Sequence, residues 1–365
     1  MAKLGELRKE IDALDAAVVR LLAGRMRLSR QAGAAKRHAG KNVVDRNREK
    51  TVLGNAVSLA SSLGVSKATA IRLFKEIIRE STRVQQEPRR IVAFQGEVGA
   101  YSEEAALQSV RGCATLPCRT FSETMKAVED SEADLALIPV ENSLEGGVGG
   151  AMDLLIETRL HAVGEVLHPV GHCLLALPGH SLGEIREVWS HPQALGQCRM
   201  FLEASLPNAR QLPFYDTAGA AKAIAEQRRE GAAAIAGRLA AAFHGLEITA
   251  SDIGNSKNNF TRFLAFSKKR FTGPAEKTSL VFTLKNRPGA LHSALAGFAD
   301  AGVNLTRLES RPVKGGAWEY TFFADFEGDA RKGKGRKAVT ALEESGAKVK
   351  VLGSYRKAGG KNVVL

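Results

Sequence analysis

Residues 4–35, LGELRKEIDALDAAVVRLLAGRMRLSRQAGAA, decide the fold of the first part of this 365-residue chain. Apolar residues recur there at alternating spacings of three and four, as on one face of an α-helix. They are Leu4, Leu7, Ile11, Leu14, Val18 and Leu21. The next position in this register is occupied by Arg25. Because a buried guanidinium needs an anionic partner, we expect a carboxylate of the protein or of a ligand beside Arg25.

Two further helical segments lose their apolar pattern in the same way. The second runs through Val52 and Leu63, and its register extends back to Asp45 and Glu49; the third passes Phe74 and ends in polar residues. Short connections make successive helices antiparallel neighbours, so the polar ends meet. The alternative is that these residues are ordinary surface charges. However, all three apolar patterns are interrupted at the same end of the helical bundle, which favours a pocket. Its predicted lining is Arg25, Lys36, Asp45, Arg48, Glu49, Ser81 and Gln85.

The bulk composition describes a globular protein with an unevenly distributed net charge of +13. The excess of basic residues lies in residues 1–87 and 331–365. A basic N-terminus suggests nucleic-acid binding, but several of these cations fall on or beside apolar seams, which suits a small enclosed polyanion better. Four cysteines without C-x-x-C spacing argue against a metal site or disulfides. With no signal-like or membrane-length apolar run, we predict a cytoplasmic protein without cofactor, metal, nucleic acid or membrane partner.

The periodicity changes after residue 88 and again near Lys277. Between these points short apolar runs alternate with helical ones, which predicts two-layered α/β structure with largely parallel strands. The predicted strands are 91–94, 135–140, 164–168, 173–176, 187–190 and 233–235, and the predicted helices include 102–110 and 122–129. The last part has the β-α-β-β-α-β order of a ferredoxin-like unit. Its elements are predicted at 279–284, 289–301, 303–310, 317–326, 337–345 and 348–352.

Residues 1–87 resemble the all-helical chorismate mutase domains. The family's pattern includes the seven pocket residues above and, in addition, Arg8. The resemblance implies that Arg8 and Arg25 bind substrate carboxylates, Lys36 and Gln85 donate to the ether oxygen, and Glu49 accepts from the ring hydroxyl. Asp45 and Ser81 complete the lining, while Arg48 binds a carboxylate or orients Glu49. Arg8 precedes Arg25 by about 25 Å along one helix, so we expect a symmetric partner to supply it.

Residues 90–268 resemble prephenate dehydratases, in the segments Phe94–Glu103, Glu141–Ser143 and Asn258–Phe263. The family fold has two α/β lobes around a cleft, like a periplasmic binding protein, here 90–166 with 250–268, and 167–249. The resemblance makes Thr261 the essential residue. For Arg262 an ion pair and a substrate carboxylate remain equal alternatives. The implied substrate-binding residues are Gln95, Tyr101, Ser102, Asn142, Ser143, Thr217, Thr261, Arg262 and Phe263.

Three smaller points complete the central region. Ser102 is expected to cap a helix N-terminus, which is a ready anion site. His172 and His191 are interpreted as structural or lining residues rather than catalytic bases. The glycines of residues 146–150 lack the G-x-G-x-x-G spacing of a dinucleotide loop. The family more often has Ser or Thr within this stretch, so the resemblance implies no substrate contact from residues 147–151.

Residues 277–354 resemble the ACT regulatory domain of prephenate dehydratases through the Gly-Ala-Leu and Glu-Ser-Arg-Pro motifs. Such domains pair and bind L-phenylalanine between subunits. The implied allosteric residues are Gly289, Ala290, Leu291, Asn304, Leu305, Glu309, Ser310 and Arg311. A purely structural dimerisation module is the alternative.

The combined expectation is a bifunctional enzyme that converts chorismate to prephenate and prephenate to phenylpyruvate, inhibited by L-phenylalanine, in a homodimer or larger homo-oligomer. A ligand-sensing transcription regulator with basic N-terminal helices is the alternative from another class. It is disfavoured because the first helix exceeds the short helices of a helix-turn-helix. A second alternative keeps the dehydratase and makes the helical part a vestigial dimeriser.

Overall fold

The computed structural model describes residues 2–87, 89–312 and 320–359. These residues form two compact units. The first consists mainly of the chain up to Ile91 together with Gly112–Leu116, and the second of Val92–Arg111 and everything from Pro117 onward. Within the described residues, no helix is both long and apolar enough to cross a membrane.

The first unit is built from three helices: α1 (Ala2–His38), α2 (Arg46–Ser62) and α3 (Lys67–Gln86). Asp45 caps α2 by accepting from the Arg48 backbone N–H, and Ser66 caps α3 by accepting from Thr69. Helix α3 packs against both others. The three predicted helices and their short connections are confirmed.

A mixed sheet that lies mainly in the second unit has the strand order β2-β1-β3-β11-β5, and a short β4 also pairs with β3. These strands are β1 (Ile91–Gln95), β2 (Ala114–Cys118), β3 (Leu135–Asn142), β4 (Gly146–Gly147), β5 (His161–Pro169) and β11 (Phe260–Ser267). The helices of this first lobe are α4 (Tyr101–Ser109), α5 (Phe121–Glu129) and α6 (Gly149–Glu157). The chain thus returns from the second lobe to the centre of this sheet through β11.

The second lobe contains a five-stranded sheet in the order β10-β6-β9-β7-β8. Its strands are β6 (Cys173–Ala176), β7 (Glu187–Ser190), β8 (Arg210–Pro213), β9 (Ala232–Ala236) and β10 (Glu247–Ala250). Its helices are α7 (Pro192–Gln197), α8 (Arg199–Ser205), α9 (Thr217–Gln227) and α10 (Arg238–His244). The two sheets confirm the predicted pair of α/β lobes.

The last part of the chain contains a four-stranded antiparallel sheet in the order β13-β14-β12-β15. It consists of β12 (Lys277–Leu284), α11 (Ala290–Asp300), β13 (Leu305–Pro312), β14 (Tyr320–Glu327), α12 (Gly333–Glu344) and β15 (Lys348–Tyr355). We call these residues the C-terminal sheet and its helices. The β-α-β-β-α-β order is confirmed. The first three residues of the predicted strand 317–326 lie outside the described residues.

Two details of the sequence prediction are wrong. The strands are not largely parallel, because β11 runs antiparallel to both β3 and β5, and β6 runs antiparallel to β9 and β10. Ser102 is not a helix cap: α4 starts at Tyr101 after Ala100, and Ser102 lies in the first turn. The backbone N–H of Gly99 instead donates to the Glu103 carboxylate at 2.7 Å.

Candidate active sites

The polar ends of α1, α2 and α3 enclose a cavity of about 380 Å³, which we call the helical pocket. All seven residues predicted from the broken seams line it: Arg25, Lys36, Asp45, Arg48, Glu49, Ser81 and Gln85. The sequence reasoning did not identify Ser29 and Thr82, two further polar lining residues. Ser29 follows Arg25 by one turn, and Thr82 lies four residues after Ile78 and three before Gln85, so helical spacing alone would have found them.

Hydrogen bonds fix several of these side chains. The Arg25 guanidinium donates to the Ser81 hydroxyl and to the Ile77 carbonyl. The Lys36 ammonium donates to the Gln85 side-chain oxygen at 3.1 Å and to the Val43 carbonyl at 2.6 Å. An ammonium beside an amide group is thus held at one end of the pocket, with a guanidinium at the other.

The described lining of the helical pocket has an excess of positive charge, with three cations and two carboxylates. Within the described residues, none of Arg25, Lys36 and Arg48 has a carboxylate within ion-pairing distance. Partial burial lowers the pKa of Arg25, and the neighbouring Arg48 lowers it further. Arginine remains charged under such conditions. The anion expected beside Arg25 is therefore absent from the described protein groups, which favours a ligand.

Arg8 is exposed on the same helix as Arg25, and it is not a lining residue of the helical pocket. The separation of about 25 Å along α1 explains this placement.

The two lobes of the second unit enclose a cavity of about 610 Å³, which we call the central cavity. Of the residues predicted for this site, it brings together Gln95, Tyr101, Asn142, Thr217 and Thr261. His172 and His191 also line it, as expected. Four helices of nine or more residues begin at its wall, α4, α5, α6 and α9.

Thr261 is held as a hydrogen-bond donor toward the central cavity. The Asn142 side-chain amide donates to the Thr261 hydroxyl oxygen at 3.1 Å, and also to the Asn259 side-chain oxygen at 2.8 Å. Because an amide N–H can only donate, the hydroxyl accepts from Asn142 and its own proton remains available to a ligand.

A second hydrogen-bonded chain crosses the cleft. The Tyr101 hydroxyl lies 2.8 Å from His172 Nδ1, and His172 Nε2 lies 2.8 Å from the Gln197 side-chain oxygen. That oxygen also accepts from the Asn259 side-chain amide at 2.9 Å. Because an amide oxygen only accepts, the proton of a neutral His172 resides on Nε2, and Nδ1 accepts from Tyr101.

Burial controls protonation in this chain. Burial lowers the pKa of His172, which keeps its imidazole neutral near pH 7. Burial raises the pKa of Tyr101, with the carboxylate of Glu104 contributing, so its hydroxyl keeps its proton. Neither group is therefore poised as a strong acid.

The sequence reasoning did not identify Arg119 and Gln197. Arg119 is the only arginine or lysine among the described residues that line the central cavity. Gln197 follows Gln193 by one helical turn, a spacing that would have placed both on one face. Nothing in the sequence around Arg119 marks it, since it reaches the cavity from the loop before α5.

Four predicted residues are not lining residues of the central cavity: Ser102, Ser143, Arg262 and Phe263. The Ser143 hydroxyl instead bonds to the backbone at the start of β11: it accepts from the Phe260 N–H and donates to the Asn258 carbonyl. Phe263 is part of the buried core. Arg262 forms buried ion pairs with Glu165 and Asp325, which favours the ion-pair interpretation over carboxylate binding.

The predicted allosteric residues lie at two places in the C-terminal sheet and its helices. Gly289, Ala290 and Leu291 form the start of α11, where Gly289 has the left-handed φ of 78°. The others are Asn304 before β13, and Leu305, Glu309, Ser310 and Arg311 on it. Glu309 pairs with Arg307 at 2.6 Å, and Arg311 pairs with Asp153 of α6 at 3.5 Å. Ser310 is exposed on β13, between the half-buried Glu309 and Arg311.

Three family models match this chain consecutively. The chorismate mutase type II model matches residues 7–86, the prephenate dehydratase model residues 92–271, and the ACT domain model residues 278–344. The matched ranges follow the helical unit, the two lobes and the C-terminal sheet.

Two relatives match this chain over nearly its whole length. A bifunctional chorismate mutase/prephenate dehydratase of Aquifex aeolicus is 37% identical, over 98% of this chain and 99% of that protein. A protein of the same name from Neisseria gonorrhoeae is 38% identical over 95% of each. The solved structure of prephenate dehydratase in complex with L-Phe from Arthrobacter aurescens has 35% identity and a TM-score of 0.66, covering 73% of this chain and 90% of that one. None of these supports a transcription regulator.

Proposed function

The chain belongs to the bifunctional chorismate mutase/prephenate dehydratase family, and we propose that the helical pocket and the central cavity are its two active sites. The observation that carries this proposal is the pair of cavities, each lined by the polar residues that its reaction requires. The chain rearranges chorismate to prephenate and then converts prephenate to phenylpyruvate, under feedback inhibition by L-phenylalanine.

In the helical pocket, catalysis requires positioning rather than a covalent step. The Claisen rearrangement breaks one C–O bond and forms one C–C bond within chorismate. Arg25 binds a carboxylate, which fits the absence of an anionic partner for it among the described residues. Lys36 and Gln85, already joined at 3.1 Å, donate to the ether oxygen where negative charge develops. Glu49 accepts from the ring hydroxyl, Asp45 and Ser81 complete the wall, and Arg48 binds the second carboxylate or orients Glu49.

In the central cavity, prephenate loses its ring carboxylate as carbon dioxide while its ring hydroxyl departs, and the ring becomes aromatic. Thr261 donates its hydroxyl proton in a hydrogen bond to the departing oxygen, as the donation from Asn142 leaves it free to do. Gln95, Tyr101 and Thr217 line the same wall. Tyr101 and His172 hold the cavity wall in place and do not supply the proton, because burial keeps both groups neutral and neither is then a strong acid.

The carboxylates of prephenate require positive partners in this cavity. Arg262 is directed elsewhere, so we assign carboxylate binding to Arg119, the only cationic side chain among the described lining residues. The N-terminal N–H groups of α4, α5, α6 and α9 favour an anion at the same wall. Glu145 and Asp216 also line the cavity, and burial raises the pKa of Asp216.

Regulation is assigned to the C-terminal sheet and its helices. L-phenylalanine binds between the start of α11, at Gly289–Leu291, and β13, at Asn304, Leu305 and Glu309–Arg311. The relative from Arthrobacter aurescens, solved with L-Phe, supports this ligand. The exposed Leu308 on the edge strand β13 supports a second subunit beside it.

Self-association completes the mutase site in this proposal. The large apolar residues of α1 from Leu4 to Leu21 are between 51% and 75% exposed. An apolar face of this size is rarely left in contact with water, so a partner is expected to cover it. A second copy that covers this face antiparallel delivers its own Arg8 to the helical pocket. Sedimentation should show that the Leu14→Glu variant is a monomer, and assays should show that it has lost mutase activity. A monomer with full mutase activity would refute the shared site. We also propose a cytoplasmic location, in keeping with four cysteines that lack C-x-x-C spacing.

One experiment tests the two activities together. Purified chain receives chorismate, and prephenate and phenylpyruvate are followed in time, with and without L-phenylalanine. Prephenate should appear first and phenylpyruvate after it, and L-phenylalanine should slow the second product. Accumulation of prephenate without phenylpyruvate would refute the dehydratase assignment; no consumption of chorismate would refute the mutase assignment.

A further inference from the structure

A cluster of buried charged side chains joins β11 to the C-terminal sheet. Arg262, next to Thr261 on β11, donates from Nε to Glu165 at 2.7 Å and from Nη1 to Asp325 at 2.5 Å. Its Nη2 lies 3.2 Å from the Tyr355 hydroxyl oxygen. These four residues are no more than 6% exposed. The first lobe and the C-terminal sheet therefore share an ionic core.

The charges of this cluster are balanced. The Lys277 ammonium lies 2.8 Å from Glu165, so two buried cations face two buried carboxylates. The more exposed Glu141 also lies 3.6 Å from Arg262, and it has a second partner in Arg307. The Ser279 hydroxyl bonds Asp325 and lies 2.5 Å from the Tyr355 hydroxyl. Because a buried ion is costly without its partner, Arg262 follows any displacement of Asp325.

Both ends of the Arg262–Asp325 pair touch functional elements. On one side, Asp325 lies on β14 opposite Arg307 of β13, the strand that carries Glu309–Arg311. On the other side, Arg262 follows Thr261 directly, and their α-carbons are about 3.8 Å apart. Successive strand residues point to opposite faces, so Thr261 faces the central cavity while Arg262 faces the C-terminal sheet.

We propose that the Arg262–Asp325 ion pair transmits amino-acid binding at the C-terminal sheet to Thr261, which makes Arg262 a positioning residue of the dehydratase site. The inference rests on the proposed roles of Thr261 and of L-phenylalanine. Binding that shifts β13 against β14 displaces Asp325, and Arg262 carries this displacement into β11. The Thr261 hydroxyl then leaves the position from which it donates to the departing oxygen.

The test uses the full chain with Arg262→Met and Asp325→Leu combined. This double variant removes one charge of each sign and leaves the Glu165–Lys277 pair intact, so no buried charge is left without a partner. Tyr355→Phe, which removes only a hydroxyl, is the milder variant. Mutase activity reports a folded helical unit, and the calorimetric binding of L-phenylalanine reports a folded C-terminal sheet. Calorimetry gives the dissociation constant for L-phenylalanine, and steady-state assays give dehydratase kcat, KM and half-inhibition.

We expect the double variant to bind L-phenylalanine within threefold of the wild-type constant but to need at least tenfold more for half-inhibition. Its kcat should fall while KM for prephenate stays within twofold, because Arg119 is untouched. Tyr355→Phe should shift half-inhibition in the same direction by a smaller factor. Asp325→Glu, which keeps the carboxylate, should retain more inhibition than the double variant.

Unchanged half-inhibition in the double variant would overturn the proposal and leave coupling to the contacts of Arg311 with α6. Loss of L-phenylalanine binding with loss of inhibition would also overturn it, because the pair would then support the ligand site rather than transmit its occupancy. A wild-type chain that binds no L-phenylalanine would instead refute the proposed regulation, and a Thr261 variant with full activity would refute the catalytic premise.

Discussion

Replacing Thr261 by valine tests the dehydratase mechanism most directly. Valine keeps the branched shape but removes the hydroxyl proton that we assign to the departing oxygen. The loss should leave the fold intact, because the Asn142 amide retains the Asn259 side-chain oxygen at 2.8 Å and the Phe260 carbonyl at 3.2 Å. The Asn142 amide is therefore not left without an acceptor.

The two consequences of this change differ in size. Losing one neutral hydrogen bond lowers the free energy of unfolding by about 1 kcal/mol, a small part of the roughly 5–15 kcal/mol of a typical domain. Losing one donor to a developing anion lowers kcat by about 10²–10³-fold, equivalent to about 3–4 kcal/mol. The dehydratase kcat should thus fall far more than stability.

Both activities are measured on one preparation of Thr261→Val, by supplying chorismate and prephenate separately. Mutase activity should equal that of the wild type, since the described lining of the helical pocket includes no residue of β11. Thr261→Ser, which restores the hydroxyl, should recover kcat to within about tenfold of the wild type. A valine variant within tenfold of wild-type kcat would refute the donor role. So would a serine variant as inactive as valine.

The remaining predictions concern binding and acid stability. Arg25→Ala should lower mutase kcat/KM by about 10²–10⁴-fold, because two charge-assisted hydrogen bonds contribute about 3–6 kcal/mol, and leave dehydratase kinetics unchanged; an active variant would contradict the carboxylate role. Arg119→Ala should raise KM for prephenate by about 10–100-fold with a smaller effect on kcat. The KM of Arg119→Lys should lie between those of the wild type and Arg119→Ala. Equal kinetics of the wild type and both variants would exclude carboxylate binding by Arg119. Burial would raise the pKa of Asp325, but Arg262 outweighs burial and lowers it. Its stabilising effect is therefore complete above the ordinary value of 3.8 and lost as pH falls further, so denaturant titrations below pH 4 should show a shallower decline for Asp325→Asn.

The helical pocket could be predicted almost completely from sequence because one rule determines it. Helical periodicity assigns every residue to a face, and short connections leave antiparallel packing as the solution. Arg25 and Lys36 are therefore brought into one pocket by the apolar pattern and the connection lengths alone. What helical periodicity could not show is that the α1 face from Leu4 to Leu21 is uncovered in a single chain.

The central cavity was predictable only in part, because it depends on which strand edges meet across two lobes. Thr261 and Arg262 are adjacent in sequence, and without the strand assignment for β11 they would be assigned to one site. In a strand they diverge, one to the cavity and one to the C-terminal sheet. Arg119 and Gln197 reach the cavity through tertiary packing, which no local pattern records.

The glycines of residues 146–150 have a physical explanation in the approach of β13. They are not a dinucleotide loop: Gly147 lies in β4 and Gly149 starts α6. A β-carbon on Gly147 would overlap the Glu309 carboxylate, and one on Gly149 would overlap the Arg311 guanidinium. A side chain at either position would displace charges that otherwise pair with Arg307 and Asp153. These glycines therefore allow β13, the strand assigned to L-phenylalanine, to approach the wall of the central cavity.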